Sequence, residues 1–302
     1  MMKRFFFICV FFACTISMMQ AKVVLSGLFA DNMVLQQETD AALWGKAEPG
    51  AKVTIAGSWS KSKVTVTADA DGKWFARIST PEAGGPYELT FNDGEKLTLK
   101  NVLIGEVWIC SGQSNMEMQM KGYGSQPVKG ATDMIMTAKP SVPIRSCNVK
   151  RVLALDPAED CEATWYEHTP VGVREASATA YMFARKLQEV LDIPVGIINV
   201  SWGGSKIEAW MSEELLRKEF AGEIKMKHLD DDVMPEKNAF KTACTLYNGM
   251  MHPVAPYTAK GFIWYIPAAV STSSPPGKKS MNPCGRMLPS APTLFPMSTV
   301  QA

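Results

Sequence analysis

The chain has 302 residues, an apolar content of 46% and a formal net charge of +1. That length suits two domains with separate cores, and the apolar content excludes a disordered chain. The near-neutral balance argues against nucleic acid or an anionic membrane surface as a main partner.

Residues 1–21 read as a secretion signal. Lys3 and Arg4 form a basic start, Phe5 to Ala13 a short apolar core, and Ala21 the cleavage point. The core is too short for a stable membrane span, and Phe11-Phe12-Ala13 before Cys14 fits a lipidation site poorly. A secreted or periplasmic location is expected. Beyond the signal lie Cys110, Cys147, Cys161, Cys244 and Cys284. An odd number cannot all pair. Cys147 and Cys161 are close enough in sequence to bridge, and Cys110 reads as a small hydrophobe in a strand. Neither C-x-x-C nor H-E-x-x-H occurs, which leaves no metal signature.

Residues 22–100 read as short strands: Val23 to Leu25, Ala41 to Gly45, Lys52 to Ile55, Lys63 to Thr67, Lys73 to Ile78 and Tyr87 to Phe91. Glu48-Pro49-Gly50, Asp71-Gly72 and Asp93-Gly94 mark turns between them. The spacing predicts a small β-sandwich. Trp44, Trp59 and Trp74 either contact carbohydrate or pack its core, and core packing is the favoured reading.

From Asn101 the pattern changes. Val102 to Cys110 is an apolar, β-branched strand. Ser177 to Leu191 carries apolar residues at helical spacing and stops at Asp192-Ile193-Pro194. Val195 to Val200 and Lys260 to Tyr265 read as further buried strands. Helix–strand alternation predicts a parallel sheet covered on both faces. Sites in such sheets lie beyond the carboxyl ends of the strands. Ser114, Gly203-Gly204 and the position after Tyr265 all fall there. Ser-Gly-Gln-Ser-Asn after a strand fits a fixed, exposed serine nucleophile, but on spacing alone a plain turn or helix cap is the favoured reading. Gly203-Gly204 fits an ordinary strand-to-helix turn or a donor loop, and with Trp202 before it and Ile207 to Trp210 after it the donor loop is the favoured reading.

Gly105-Glu106-Val107-Trp108-Ile109-Cys110-Ser111-Gly112-Gln113-Ser114-Asn115-Met116-Glu117-Met118 resembles the nucleophile block of the sialate O-acetylesterase family, a branch of the SGNH hydrolases. Ala176 to Arg185, Pro194 to Trp210, Leu246 to Pro253 and Gly261 to Tyr265 resemble later blocks, in order. The resemblance implies an N-terminal β-sandwich (22–100) followed by an SGNH-type, flavodoxin-like three-layer α/β domain (101–265). It implies Ser114 as nucleophile and, with Gly203 or Gly204, as a backbone oxyanion donor. Gln113, Asn115, Glu117 and Glu208 become candidate substrate-binding residues. Glu117 and Glu208 fit equally as carboxylates favoured by a helix N-terminus. No cofactor is implied, the partner is an acetylated carbohydrate, and the oligomeric state stays open.

The family continues after Trp-Tyr with Gln-Gly-Glu-Ser-Asn and later an Asp-x-x-His pair. Here Tyr265 is followed by Ile266-Pro267-Ala268-Ala269-Val270. Residues 266–302 read as an aberrant, disordered tail, and the α/β domain as incomplete, through truncation or a frameshift. The three histidines are His168, His228 and His252, with Trp165, Lys225 and Gly249 three residues before them. None meets the Asp-x-x-His pattern. The resemblance therefore implies a secreted carbohydrate O-acetylesterase acting on sialic acid or another acetylated glycan. The alternatives are an impaired pseudoenzyme or truncated product, and a carbohydrate-binding protein.

Overall fold

The computed structural model describes residues 22–265. The expected signal at 1–21 and tail at 266–302 lie outside the described residues.

The first strands are β1 (Val24–Leu25), β2 (Val34–Gln36), β3 (Asp40–Lys46), β4 (Lys52–Gly57), β5 (Lys63–Thr67), β6 (Lys73–Ser79) and β7 (Gly84–Asn92). Strands β1, β3 and β6 form one antiparallel sheet, in which Leu43 pairs with Ala76. Strands β5, β4 and β7 form part of a second, and β7 pairs antiparallel with β8 (Lys96–Gly112). Period-2 alternation turns Leu43, Trp74, Ala76 and Ile78 of one sheet and Val53, Ile55, Leu89 and Phe91 of the other into a shared core. The Trp74 and Phe91 rings sit 5.8 Å apart. Trp44 packs edge-on against Phe29 at 4.6 Å, and Trp59 donates to the Ser79 carbonyl. All three tryptophans thus have packing partners in the fold.

Strand β8 is 17 residues long and crosses the boundary expected at residue 100. Its first part, beside β7, is mostly exposed or half-buried, with Leu99 buried. At Asn101 the backbone turns to φ +54°, with the side-chain amide donating to Asn32 and Glu167. From Val102 the strand is buried almost throughout. The change in sequence texture at residue 101 is therefore a change of environment along one continuous strand.

The rest of the chain covers this buried half. It comprises α1 (Ser114–Glu117), α2 (Ala131–Met136), β9 (Ile144–Val149), β10 (Ala163–Glu167), α3 (Pro170–Glu175), α4 (Ala178–Leu191), β11 (Val195–Ser201), α5 (Glu213–Glu219), α6 (Lys227–Asp230) and β12 (Gly261–Tyr265). Strand order is β10-β9-β11-β8-β12, parallel except for β10 at one edge. Along β8 and β11, Val107, Ile109, Ile198 and Val200 face one core, while Cys110, Val195 and Ile197 face another. The second core is closed by Ala180, Tyr181 and Ala184 of α4, whose N-terminus is capped by Ser177 accepting from the Ala180 N–H. The first is closed by Trp210, Met250 and Met251, the last two from a π-helical turn at Tyr247–Met251. The result is an α/β fold. Among the described residues, no helix is long and apolar enough to cross a membrane.

Cys110, Cys147, Cys161 and Cys244 are free thiols. The bridge expected between Cys147 and Cys161 is therefore not formed. Burial raises the Cys110 thiol and pushes that of Cys161 up to about 12.

Candidate active site

The carboxyl ends of β8, β11 and β12 meet at one point. Gly112, the last residue of β8, has φ +142°, and a Cβ there would lie 2.1 Å from the Tyr265 carbonyl oxygen. Only glycine fits this approach. The Gly112 carbonyl accepts from the Trp202 N–H at 3.1 Å, and the Gln113 N–H donates to Tyr265 at 3.3 Å. The chain then turns into α1, whose first residue is Ser114, exposed at its start. The Met116 and Glu117 N–H groups bond back to the Gln113 carbonyl. The N–H groups that open a helix have no partner within it, and that of Ser114 has no acceptor among the described residues.

The second component is the turn after β11. The Ser205 N–H closes on the Trp202 carbonyl at 3.4 Å, with Gly204 at φ +73°, the third turn position where positive φ favours glycine. Ser205 Oγ also donates to that carbonyl, and accepts from Trp210 Nε1 at 2.9 Å. These bonds fix the turn against the core. A Cβ on Gly203 would lie 3.5 Å from the Ser114 Cα. Ser114 and the Gly203-Gly204 turn are therefore neighbours, although 89 positions separate Ser114 from Gly203 in the numbering.

Glu117 joins the two components. Its Oε2 accepts the Gly203 N–H, and its Oε1 accepts from Arg151 Nη1 at 2.9 Å and from the Tyr123 hydroxyl at 3.3 Å. Burial and this carboxylate push the Tyr123 phenol up. Gly203 and Glu117 thus stand differently from the expectation. The Gly203 N–H, a candidate oxyanion donor, is occupied by the Glu117 carboxylate. The Gly204 N–H has no acceptor among the described residues. Glu117 sits at the end of α1, where its partners are protein groups.

The other candidates separate. Gln113 is the residue before α1, and Asn115 is exposed, with its carbonyl accepting from Thr179 Oγ1 at 2.8 Å. Glu208 faces Lys206 at 3.4 Å in the 3₁₀ turn Ile207–Trp210, and no contact joins it to Ser114 among the described residues.

Sequence reading missed Arg151, Phe240 and Lys241. Phe240 stacks parallel on Trp202 with centroids 5.8 Å apart, and its Cε2 lies 3.5 Å from where a Gly204 Cβ would be. Arg151 lies over the Trp202 ring at 5.7 Å. No motif marks these residues, because distant loops bring them together.

Each histidine ring is tied to a backbone carbonyl. His168 Nδ1 meets Lys139 at 3.0 Å, His228 Nε2 meets Ala243 at 2.9 Å, and His252 Nδ1 meets Ala158 at 2.9 Å. No cluster of His, Cys, Asp or Glu able to hold a metal occurs among the described residues.

Residues 104–265 match a family model described as carbohydrate esterase, sialic acid-specific acetylesterase. A sialate O-acetylesterase of Homo sapiens is 32% identical over 255 residues, covering 78% of this chain and 46% of the human protein. One of Mus musculus is 30% identical over 276 residues, covering 78% of this chain and 50% of the mouse protein. The crystal structure of a carbohydrate acetylesterase from Xanthomonas citri superposes with a TM-score of 0.70 at 32% identity, over 81% of this chain and 51% of that one. The chain spans about half the length of the curated relatives it matches.

Proposed function

The chain belongs to the sialic acid-specific acetylesterase family of carbohydrate esterases, and from that membership we propose that it carries the nucleophile and part of the oxyanion site of a carbohydrate O-acetylesterase. The observation that carries this reading is the approach of Ser114, exposed at the end of β8, to the Gly203-Gly204 turn. In the reaction, Ser114 Oγ attacks the acetyl carbonyl carbon and gives its proton to a base. The tetrahedral oxyanion is received by the N–H groups of Ser114 and Gly204, fixed before the charge develops. Collapse expels the sugar hydroxyl, and water then releases acetate. No cofactor enters this scheme.

The finer architecture belongs to the same proposal. Residues 22–100 form a β-sandwich domain and residues 101–265 an SGNH-type domain. Residues 1–21 direct the chain to a secreted or periplasmic location. The substrate is an O-acetylated sialic acid or another acetylated glycan.

A second reading is favoured by the histidines, since no hydrogen bond joins any of the three to Ser114 among the described residues. On this reading none of them is the base, and the 302-residue polypeptide turns over poorly. Without a base, residual catalysis over water is on the order of 10³–10⁴. The test compares acetate release from O-acetylated N-acetylneuraminic acid by the polypeptide and by Ser114→Ala. The esterase reading expects measurable release that the substitution removes. Release that is low and equal in both supports the impaired reading. Robust release that survives the substitution excludes Ser114 as nucleophile.

A further inference from the structure

The segment after α1 holds up an aromatic ring beside the site. Tyr123 opens a tight turn, in which its N–H donates to the Gln126 carbonyl at 3.1 Å and the Gln126 N–H donates back to the Tyr123 carbonyl at 2.9 Å. Gly122 holds φ +69°, and a Cβ there would lie 2.5 Å from the Gln126 carbonyl oxygen, so the turn needs glycine at that place. The turn is fastened to the end of α3, through the Lys121 N–H to the Arg174 carbonyl at 3.2 Å and through Lys121 Nζ to Glu175 at 2.6 Å.

The ring is fixed by its hydroxyl and unpaired at its faces. The Tyr123 hydroxyl donates to Glu117 Oε1 at 3.3 Å, on the carboxylate whose other oxygen accepts the Gly203 N–H. Burial and this carboxylate push the phenol up, so it stays protonated and remains a donor. Tyr123 is 43% exposed and takes part in no ring or cation contact among the described residues. A Cβ on the next residue, Gly124, would meet nothing within 4 Å, so open space lies on that side of the turn. The aromatic residues on the other side of the site are already engaged. Trp202 and Phe240 stack on each other, with Arg151 over the first ring and Lys241 over the second.

We propose that Tyr123 is a specificity-determining residue: its ring is the platform on which the alcohol part of the ester lies while Ser114 attacks the acetyl group, and it favours alcohols with a flat C–H face over open-chain ones. The proposal rests on Ser114 as the reactive serine. Its geometry follows from the shared carboxylate. Glu117 binds the phenol with one oxygen and the Gly203 N–H with the other, and a Cβ on Gly203 would lie 3.5 Å from the Ser114 Cα. An acetyl group held at Ser114 and the Gly204 N–H therefore leaves its alcohol within reach of the ring. A pyranose presents a face of C–H groups that packs on an aromatic ring, whereas an open-chain polyol loses rotamer freedom in doing so. The platform reads ring shape and is indifferent to charge.

The test measures binding and needs no turnover. Methyl β-D-galactopyranoside and the open-chain galactitol are titrated into the 302-residue polypeptide by saturation-transfer NMR. The pyranoside is expected to bind about tenfold more tightly, with transfer concentrated on the C–H groups of one ring face. Tyr123→Ala and Tyr123→Leu should abolish the preference. Tyr123→Phe should keep most of it, because the ring face is retained while the bond to Glu117 is lost. These substitutions remove one exposed hydrogen bond and no core residue, so the comparison does not hinge on folding. Equal binding of the two probes, a preference that survives Tyr123→Ala, a preference lost as fully in Tyr123→Phe, or no binding of either probe would overturn the proposal. If the preference fails while 4-nitrophenyl acetate still acetylates Ser114, only the platform falls. If the preference holds while Ser114 resists acetylation, the platform stands and the nucleophile reading falls.

Discussion

At the scale of single residues, Glu117 does the most to shape the site. One carboxylate receives a main-chain N–H from the turn after β11, a guanidinium from the loop after β9 and a phenol. A charge-assisted hydrogen bond of this kind contributes about 1.5–3 kcal/mol, and the partial exposure here puts it at the low end. Glu117→Ala should therefore speed amide hydrogen exchange at Gly203 by about tenfold, while Glu117→Gln, which keeps an acceptor oxygen, restores most of the protection. Unchanged exchange at Gly203 in the alanine variant would show that the turn holds itself. Gly203→Ala acts on the same bond from the other side. Its Cβ would sit 2.8 Å from Glu117 Oε2 and must displace it. The sequence offered Glu117 as a sugar ligand or a helix-terminal carboxylate. Neither option contains Gly203, because the bond exists only once β8 and β11 lie side by side.

At the scale of elements, the site depends on where β8 stops. Gly112 combines positive φ with a carbonyl oxygen 2.1 Å from the missing Cβ. Gly112→Ala should cost at least about 1–3 kcal/mol from backbone conformation alone. It should also separate β12 from β8, read as a lower melting temperature together with a shift in Trp264 fluorescence. A variant that melts like the parent would contradict the geometry of this junction. Ser177→Ala removes the cap of α4 and should cost about 1 kcal/mol, checked by denaturant titration. The same elements show what was legible. Apolar, β-branched runs gave β8, β11 and β12, and helical spacing that stops at Asp192-Ile193-Pro194 gave α4. Strand β9 was hidden because Arg145 and Ser146 interrupt its apolar residues. Arg145 is nevertheless buried, paired with Glu167 across the β9–β10 register at 3.2 Å. Strand β2 was hidden by its length of three residues.

For the whole molecule, the fold joins an all-β region to an α/β layer through one strand and one shared core. The change at residue 101 was readable because burial changes there. The continuity of β8 was not readable, because composition carries no record of hydrogen-bond partners. Acid sensitivity is a global property with a local origin. Burial holds the His168 imidazole below its usual value, against the raising effect of its bond to Lys139. A depressed pKa in the fold means that the unfolded chain takes up the proton first as pH falls. The contribution is fully present above about pH 6.5 and is lost as pH drops through the folded value. His168→Asn should therefore show a smaller fall in melting temperature between pH 7.5 and 5.5 than the parent. Equal falls in both proteins would remove His168 from the account.

The central claim is that Ser114 is the nucleophile of this chain and that none of its three histidines activates it. Acetate release from 4-nitrophenyl acetate should be followed for the 302-residue polypeptide, Ser114→Ala and His252→Ala, with the acetylated residue located by peptide mass mapping. The account predicts slow acetylation centred on Ser114, absent from Ser114→Ala and unaltered in His252→Ala. Fast release abolished by both substitutions, or acetylation that spares Ser114, would contradict it.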